Sequence, residues 1–202
     1  MGPAVRFGQS APGMAVSVCE ADAVLVAHAK EDAAAFGALY ERYVGDVYNY
    51  VFYRVSNTAD AEDLTARVFY QALTHLQGYS SRGTPFVAWL YRIAHNMVAN
   101  WHRDNRRRPT LVLDEAVLHG RPDEGAGPDG QAAVRDDARQ LRAALQRLPA
   151  DRQQLVLLKY VAGLSNAEIG QVLGKSEGAV KALLHRTLLS LRQDLSGITG
   201  AD

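Results

Sequence analysis

A single cysteine, Cys19, stands in the 202-residue chain, which excludes an intramolecular disulfide and any zinc site built from several cysteines. No stretch approaches the roughly 18 consecutive apolar residues that a membrane span needs. No apolar run follows a positively charged start, so no secretory signal is expected and the chain is expected to be cytoplasmic. Neither sign of charge is in excess: 22 Lys and Arg meet 22 Asp and Glu. A glycine-rich phosphate loop on a strand–helix unit is missing, as is a nucleophile elbow. The histidines, His28, His75, His95, His102, His119 and His185, are scattered without metal-ligand spacing. An enzyme is therefore not expected, nor a cofactor or a metal. His95 and His102, on a basic segment, are expected at the surface.

What is present is enough apolar residue for a packed core, 48% of the chain. Charge is also segregated. Between Pro109 and Val134 one Arg faces five acidic residues, whereas from Arg135 to Leu195 ten Lys and Arg face six Asp and Glu. The tract from Trp101 to Arg108 is basic. A zero net charge is thus a sum of unlike parts. Basic runs are commonly solvated faces, so segregation alone identifies no partner.

Helical periodicity dominates and no strand pattern is evident. Residues 1–21 read as a disordered tail by their Gly, Pro, Ala and Ser content, with a first helix opening at Asp22. A second helix from about Asp32 places Phe36, Leu39, Tyr40, Tyr43, Val44, Val47, Tyr48, Val51, Phe52 and Val55 at steps of three and four. A third begins near Asp60, with Ala61, Leu64, Val68, Phe69, Ala72, Leu73 and Leu76 inward. Gly78 to Pro85 forms a loop, and a fourth helix follows to about Arg106. Residues 109–134 make an acidic linker, 135–195 a compact run of short helices, and 196–202 a tail. The fold class expected is all-α: two small helical domains, 22–108 and 135–195, on a flexible acidic tether.

In the second domain Ser165-Asn-Ala-Glu168 has the form of a capping box. Gly174 suits a turn with positive φ, and Ser176 can cap a longer helix with Val180, Leu183, Leu184, Leu188, Leu191 and Leu195 inward. A short helix, a glycine turn and a longer helix make a helix-turn-helix, whose second member enters the major groove. The outer face of that member carries Ser176, Glu177, Gly178, Lys181, His185 and Arg186. Residues near its start can read base edges, and cations further along can hold phosphates. A plain helical hairpin with surface charge is the bland alternative; the capping box, glycine turn and basic face together favour DNA.

In the first domain the fourth helix carries an inward face of Phe86, Leu90, Ile93, Ala94, Met97 and Trp101. A second stripe runs Trp89, Arg92, Asn96, Asn100 and Arg103. Aromatic rings and guanidinium groups stack on unpaired bases, and amides bond their edges. Tyr79, Ser80 and Arg82 in the preceding loop extend that face. Alone, it divides evenly between nucleic-acid contact and ordinary packing.

Taken together, Asp60-Ala-Glu-Asp-Leu-Thr65, Trp89-Leu-Tyr-Arg-Ile-Ala-His-Asn96, Leu164 to Gly170 and Leu173 to Lys181 with Leu184-His-Arg186 resemble extracytoplasmic-function sigma factors. These are two-domain members of the sigma-70 family. The resemblance covers about residues 22–108, a region 2-like domain, and 138–195, a region 4-like domain. It implies a subunit that directs core RNA polymerase to promoters. The face of Tyr79, Ser80, Arg82, Trp89, Arg92, Asn96, Asn100 and Arg103 would melt and capture the −10 element. Ser176, Glu177, Gly178, Lys181, His185 and Arg186 would read the −35 element. Asp60, Glu62, Asp63, Leu64 and Arg67 would meet the polymerase. An anti-sigma protein is an implied partner. The chain departs from the pattern at Ala66-Arg67, where a Gln and an acidic residue are frequent, and at Asn100, where Asp is common. A rival reading is a conventional helix-turn-helix regulator that binds duplex DNA without polymerase. It leaves the stripe from Trp89 to Arg103 unexplained.

Overall fold

The computed structural model of the chain describes residues 12–80, 83–105 and 139–199, with side chains from 21 onward and up to 195. Among these residues there is helix and no strand. The expected linker at 109–134 lies outside the described residues. So do residues 1–11 of the expected N-terminal tail and the end of the C-terminal one.

Helix α1 runs Pro12–Glu31, ahead of the expected start at Asp22. Asp22 is no cap; it is buried and accepts a hydrogen bond from the Tyr43 hydroxyl, with Arg42 Nη1 3.1 Å away as an ion-pair partner. Burial raises its carboxyl above the usual range, and the Tyr43 bond and Arg42 oppose that rise. Asp32 then accepts from the Ala34 amide at 2.9 Å, and a 3₁₀ turn leads into α2, Phe36–Val55. Ser56 adopts a left-handed conformation, φ 60°, and Asn57 caps α3, Thr58–His75, by accepting from the Asp60 amide at 2.9 Å. Two residues thus reverse the chain between antiparallel helices. Helix α4, Phe86–Asp104, starts after Pro85, whose fixed φ suits a helix entry.

The core of this unit is aromatic. Tyr43 lies against Phe86 at 5.9 Å, Phe36 against Phe69 at 6.4 Å, and Tyr50 edge-on to Tyr91 at 5.4 Å. The expected inward stripe of α2 is buried at Phe36, Leu39, Tyr43, Val47, Val51 and Val55, but Tyr40 is exposed. Tyr50, Tyr53 and Arg54, outside that stripe, are buried as well. The end of α2 is covered on more than one side because the second unit packs there. On α3, Leu73 is exposed rather than inward.

The second unit holds α5, described over 139–147, and α6, Ala150–Val156, which widens into a π-helical stretch Leu157–Val161. Gln153 closes the α5–α6 corner by donating to the Leu148 carbonyl at 2.9 Å and the Gln146 carbonyl at 3.1 Å. Helices α7, Asn166–Leu173, and α8, Glu177–Thr199, follow. Leu155, Leu157, Leu158, Leu164, Ile169, Val172, Val180 and Leu191 form the core between them. Leu188 is exposed, contrary to expectation; the fully buried Thr187 takes the inward place and donates to the Leu183 carbonyl at 2.8 Å. The two units pack together, α7 on α4 and the π-helical stretch on α2.

Candidate nucleic-acid interface

The helix-turn-helix is built by local chemistry. Ser165 Oγ accepts from the Glu168 amide at 3.2 Å while Glu168 Oε2 accepts from the Ser165 amide at 2.7 Å, completing the capping box. Gly174 takes φ 65°, and the Lys175 amide donates back to the Gly170 carbonyl at 2.8 Å. Gly170 was not singled out from the sequence: a β-carbon there would stand 2.5 Å from the Lys175 carbonyl oxygen. Its lack of a side chain lets the turn close on α7. Ser176 Oγ accepts from the Ala179 amide at 3.2 Å and so caps α8.

On the outer face of α8, Ser176, Glu177, Gly178, Lys181, His185 and Arg186 are all exposed. Lys181 Nζ pairs with Glu177 Oε1 at 2.8 Å, and Arg186 Nε donates to the Ala182 carbonyl at 3.3 Å. Both cations are solvent-facing, so exchanging these contacts for phosphates costs little. A β-carbon at Gly178 would meet nothing within 4 Å, so the first turn is open to a flat surface.

The α4 stripe forms as expected along most of its length. Arg92, Asn96, Asn100 and Arg103 are exposed, with Arg103 Nε 3.5 Å from Asp104 Oδ1. Trp89 is half-buried, its ring 4.9 Å from that of Tyr79 and 5.7 Å from that of Phe86. Tyr79 differs from expectation. It is buried, its hydroxyl donates to the Thr84 carbonyl at 2.7 Å, and its own carbonyl accepts from Lys30 Nζ at 2.6 Å. It pins the loop and backs Trp89 rather than offering a ring to solvent. Lys30, fixed also through its carbonyl by Gln77 Nε2 at 2.7 Å, is the residue that sequence reasoning missed. Ser80 is exposed, and Arg82 lies outside the described residues.

On α3, Glu62, Asp63 and Arg67 are exposed and Asp60 is half-buried. Leu64 is 2% exposed, so it belongs to the core and offers no contact surface. Arg67 Nη1 lies 3.5 Å from Asp63 Oδ2, one helical turn away, so the unusual Arg is partly neutralised within its own helix.

His95 and His102 are not surface groups. His102 is buried, and His95 is half-buried against Gln154 of the second unit. Burial, then the Arg54 charge, holds both imidazoles below the usual range; for His102 a backbone contact with Arg54 partly opposes this. Among the described residues no group of three His, Cys, Asp or Glu could hold a metal, and no helix is long and apolar enough to cross a membrane.

This arrangement has known counterparts. Residues 39–108 match sigma-70 region 2 and residues 138–191 match sigma-70 region 4. The chain is similar to the ECF RNA polymerase sigma factor BldN of Streptomyces coelicolor, 38% identical over 79% of this chain and 60% of that one. It is 31% identical to the ECF RNA polymerase sigma factor SigD of Mycobacterium tuberculosis, over 95% of this chain and 92% of that one. The solved structure of CnrH in complex with the cytosolic domain of CnrY superposes with a TM-score of 0.61 at 25% identity, covering 90% of this chain and 99% of that one. The chain belongs to the extracytoplasmic-function sigma factors of the sigma-70 family, which is not a family of catalysts.

Proposed function

We propose that the chain works in the cytoplasm as a sigma factor, bringing core RNA polymerase to promoters with two separate DNA-reading surfaces. The exposed stripe Arg92, Asn96, Asn100 and Arg103, headed by Trp89, captures the unpaired −10 strand. Amides and guanidinium groups on a straight helix offer hydrogen bonds to splayed bases and charge to the backbone. The energy of holding the unpaired strand offsets lost stacking, so melting needs no reacting residue. Helix α8 reads the −35 element as duplex, with Ser176, Glu177 and Gly178 at its leading turn and Lys181, His185 and Arg186 behind. The acidic face of α3, Asp60, Glu62 and Asp63 with Arg67 beside them, meets the polymerase. An anti-sigma protein is a fitting regulator, as membership of the family implies; CnrH, for comparison, was solved in complex with the cytosolic domain of CnrY.

The observation that carries this reading is the coexistence of a groove-sized helix and a base-capturing helix face in one chain. A duplex-only regulator has no use for the second. The test is co-purification with core RNA polymerase, then transcription from a genomic fragment library. We expect stable association and new start sites that share two separated elements. Tight, specific binding to a short duplex by the chain alone, with no polymerase association, would instead establish a conventional regulator.

A further inference from the structure

We propose that Lys30 is a positioning residue for capture of the −10 strand: with Gln77 it clamps the start of the loop before α4, so that Tyr79 holds Trp89 in place at the head of the stripe. The proposal rests on the sigma-factor reading above. Helix α3 gives way at Leu76 to a 3₁₀ turn that ends at Gly78, and carbonyls at such an end lack partners within the helix. Two of them converge on the ammonium of Lys30, in the last turn of α1: that of Tyr79 at 2.6 Å and, more loosely, that of Gln77 at 3.4 Å. A cation is favoured at the negative end of a helix. Gln77 answers by donating from Nε2 to the Lys30 carbonyl at 2.7 Å, itself close to the end of α1. Each helix end thus caps the other.

The clamp reaches the stripe through Tyr79. Its carbonyl is held by Lys30, its hydroxyl ties the far side of the loop at the Thr84 carbonyl, and its ring lies 4.9 Å from that of Trp89. Moving the Tyr79 backbone therefore moves the support of Trp89. The clamp is itself fixed: Val26 and Ala29 of α1 are buried, and Asp22 bonds to Tyr43 of α2. Gln171 of the second unit also meets this loop, donating to the Gly83 carbonyl at 2.5 Å, across the seam where the Gln154 amide meets the Tyr50 hydroxyl at 3.2 Å. Lys30 and Gln77, by contrast, both belong to the first unit, so their bonds hold however the second unit is disposed. Lys30 also lies outside residues 39–108, which match sigma-70 region 2. A helix that precedes the matched segment thus supplies part of the −10 apparatus. A loop ordered before the strand arrives spares the cost of ordering it on binding.

The test compares three variants of the full chain. Lys30→Met removes the ammonium and keeps the aliphatic stem, Lys30→Arg keeps a cationic donor, and Gln77→Ala removes only the return bond. Acrylamide quenching in a Trp101→Phe background, where Trp89 is the one tryptophan left, reads the clamp in the free chain. The polymerase complex is then titrated with a labelled single strand carrying the −10 element of a promoter recovered as above, and separately with a −35 duplex. Lys30→Met should raise the quenching of Trp89 and weaken binding of the single strand roughly three- to tenfold, the scale of one hydrogen bond. Core association and −35 binding should stay within about twofold of the parent, as the clamp touches neither surface. Lys30→Arg should recover most of the loss. Gln77→Ala should shift both readings the same way by less, and it carries the test if Lys30→Met melts early. Unchanged quenching in folded Lys30→Met overturns the clamp. Raised quenching with unchanged strand affinity overturns the positioning role, as does a loss shared equally by core association and −35 binding, or one that Lys30→Arg leaves unrecovered. Failure of the parent to associate with polymerase, with quenching still shifting as described, overturns the sigma reading and the −10 role with it, and leaves the clamp as a loop anchor alone.

Discussion

Gly170 shows how one missing β-carbon can decide the geometry of a reading head. A glycine inside a short helix ordinarily weakens it, and replacing it by alanine stabilises by roughly 0.5–1 kcal/mol. Here the added carbon would sit 2.5 Å from a backbone oxygen that cannot rotate away. Gly170→Ala should therefore lower stability, by about 1–3 kcal/mol, as overpacking against backbone does. Urea unfolding of the full chain measures it, and stabilisation would mean that the turn relaxes freely. The sequence disclosed Gly174, because a turn between two periodic segments calls for positive φ. Gly170 was hidden because its reason lies in a neighbour that reaches it only after the turn has closed. Asp22 and Lys30 were illegible for the same cause. A charged residue on a helix reads as solvent-facing until its partner from another helix, Tyr43 for Asp22 and the Tyr79 carbonyl for Lys30, is known.

At the scale of elements, much was legible. The steps of three and four along α2, α3, α4 and α8 disclosed the helices, and the capping box at Ser165 located α7 to the residue. The boundary at Pro85 was legible too, whereas α3 begins at Thr58 behind its Asn57 cap, ahead of the expected start near Asp60. The faces were less so. Tyr50 and Tyr53 are buried because the end of α2 is covered from more than one direction, which no single-helix stripe can display. Leu188 and Leu189 stay exposed because they lie off the face of α8 that carries Val180, Thr187 and Leu191 into the core. On that helix, Lys181→Ala and Arg186→Ala should each weaken promoter binding by the polymerase complex. Each should reduce the salt dependence of that binding by about one phosphate's worth, while stability moves by less than about 0.5 kcal/mol. Binding isotherms at several salt concentrations, paired with thermal melts, separate the two effects. A salt slope left unchanged would place these cations away from phosphate.

At the scale of the molecule, two imidazoles enclosed near one guanidinium tie the fold to pH. His95 and His102 sit below the ordinary value of 6.5 because burial and Arg54 disfavour their charged forms. The unfolded chain therefore takes up protons near 6.5 while the folded chain does not. Stability is fully present above that pH and falls as the pH drops through 6.5, until the folded imidazoles protonate in turn. The raised carboxyl of Asp22 works in the opposite sense but at lower pH, as folding there favours its protonated form. Thermal melts between about pH 7.5 and 5.5 should show a declining midpoint, and His102→Phe should flatten the decline. A midpoint that rises on acidification would contradict the enclosed-imidazole account. None of this was readable from sequence, where both histidines stand on a basic helix.

The Gln154–Tyr50 bond joins residues 104 positions apart, and that separation has a meaning in time. Translation proceeds at about 5–20 residues per second, and domains fold as they emerge. The first helical unit, whose last helix ends at Asp104, is therefore complete roughly 2.5–10 s before Gln154 is even synthesised. Throughout that interval Tyr50 and His95 lack the Gln154 amide that meets them once the second unit has docked. Every molecule thus begins its life with the seam side of its first unit open, and any protein that binds there on the ribosome arrives before the second unit can dock.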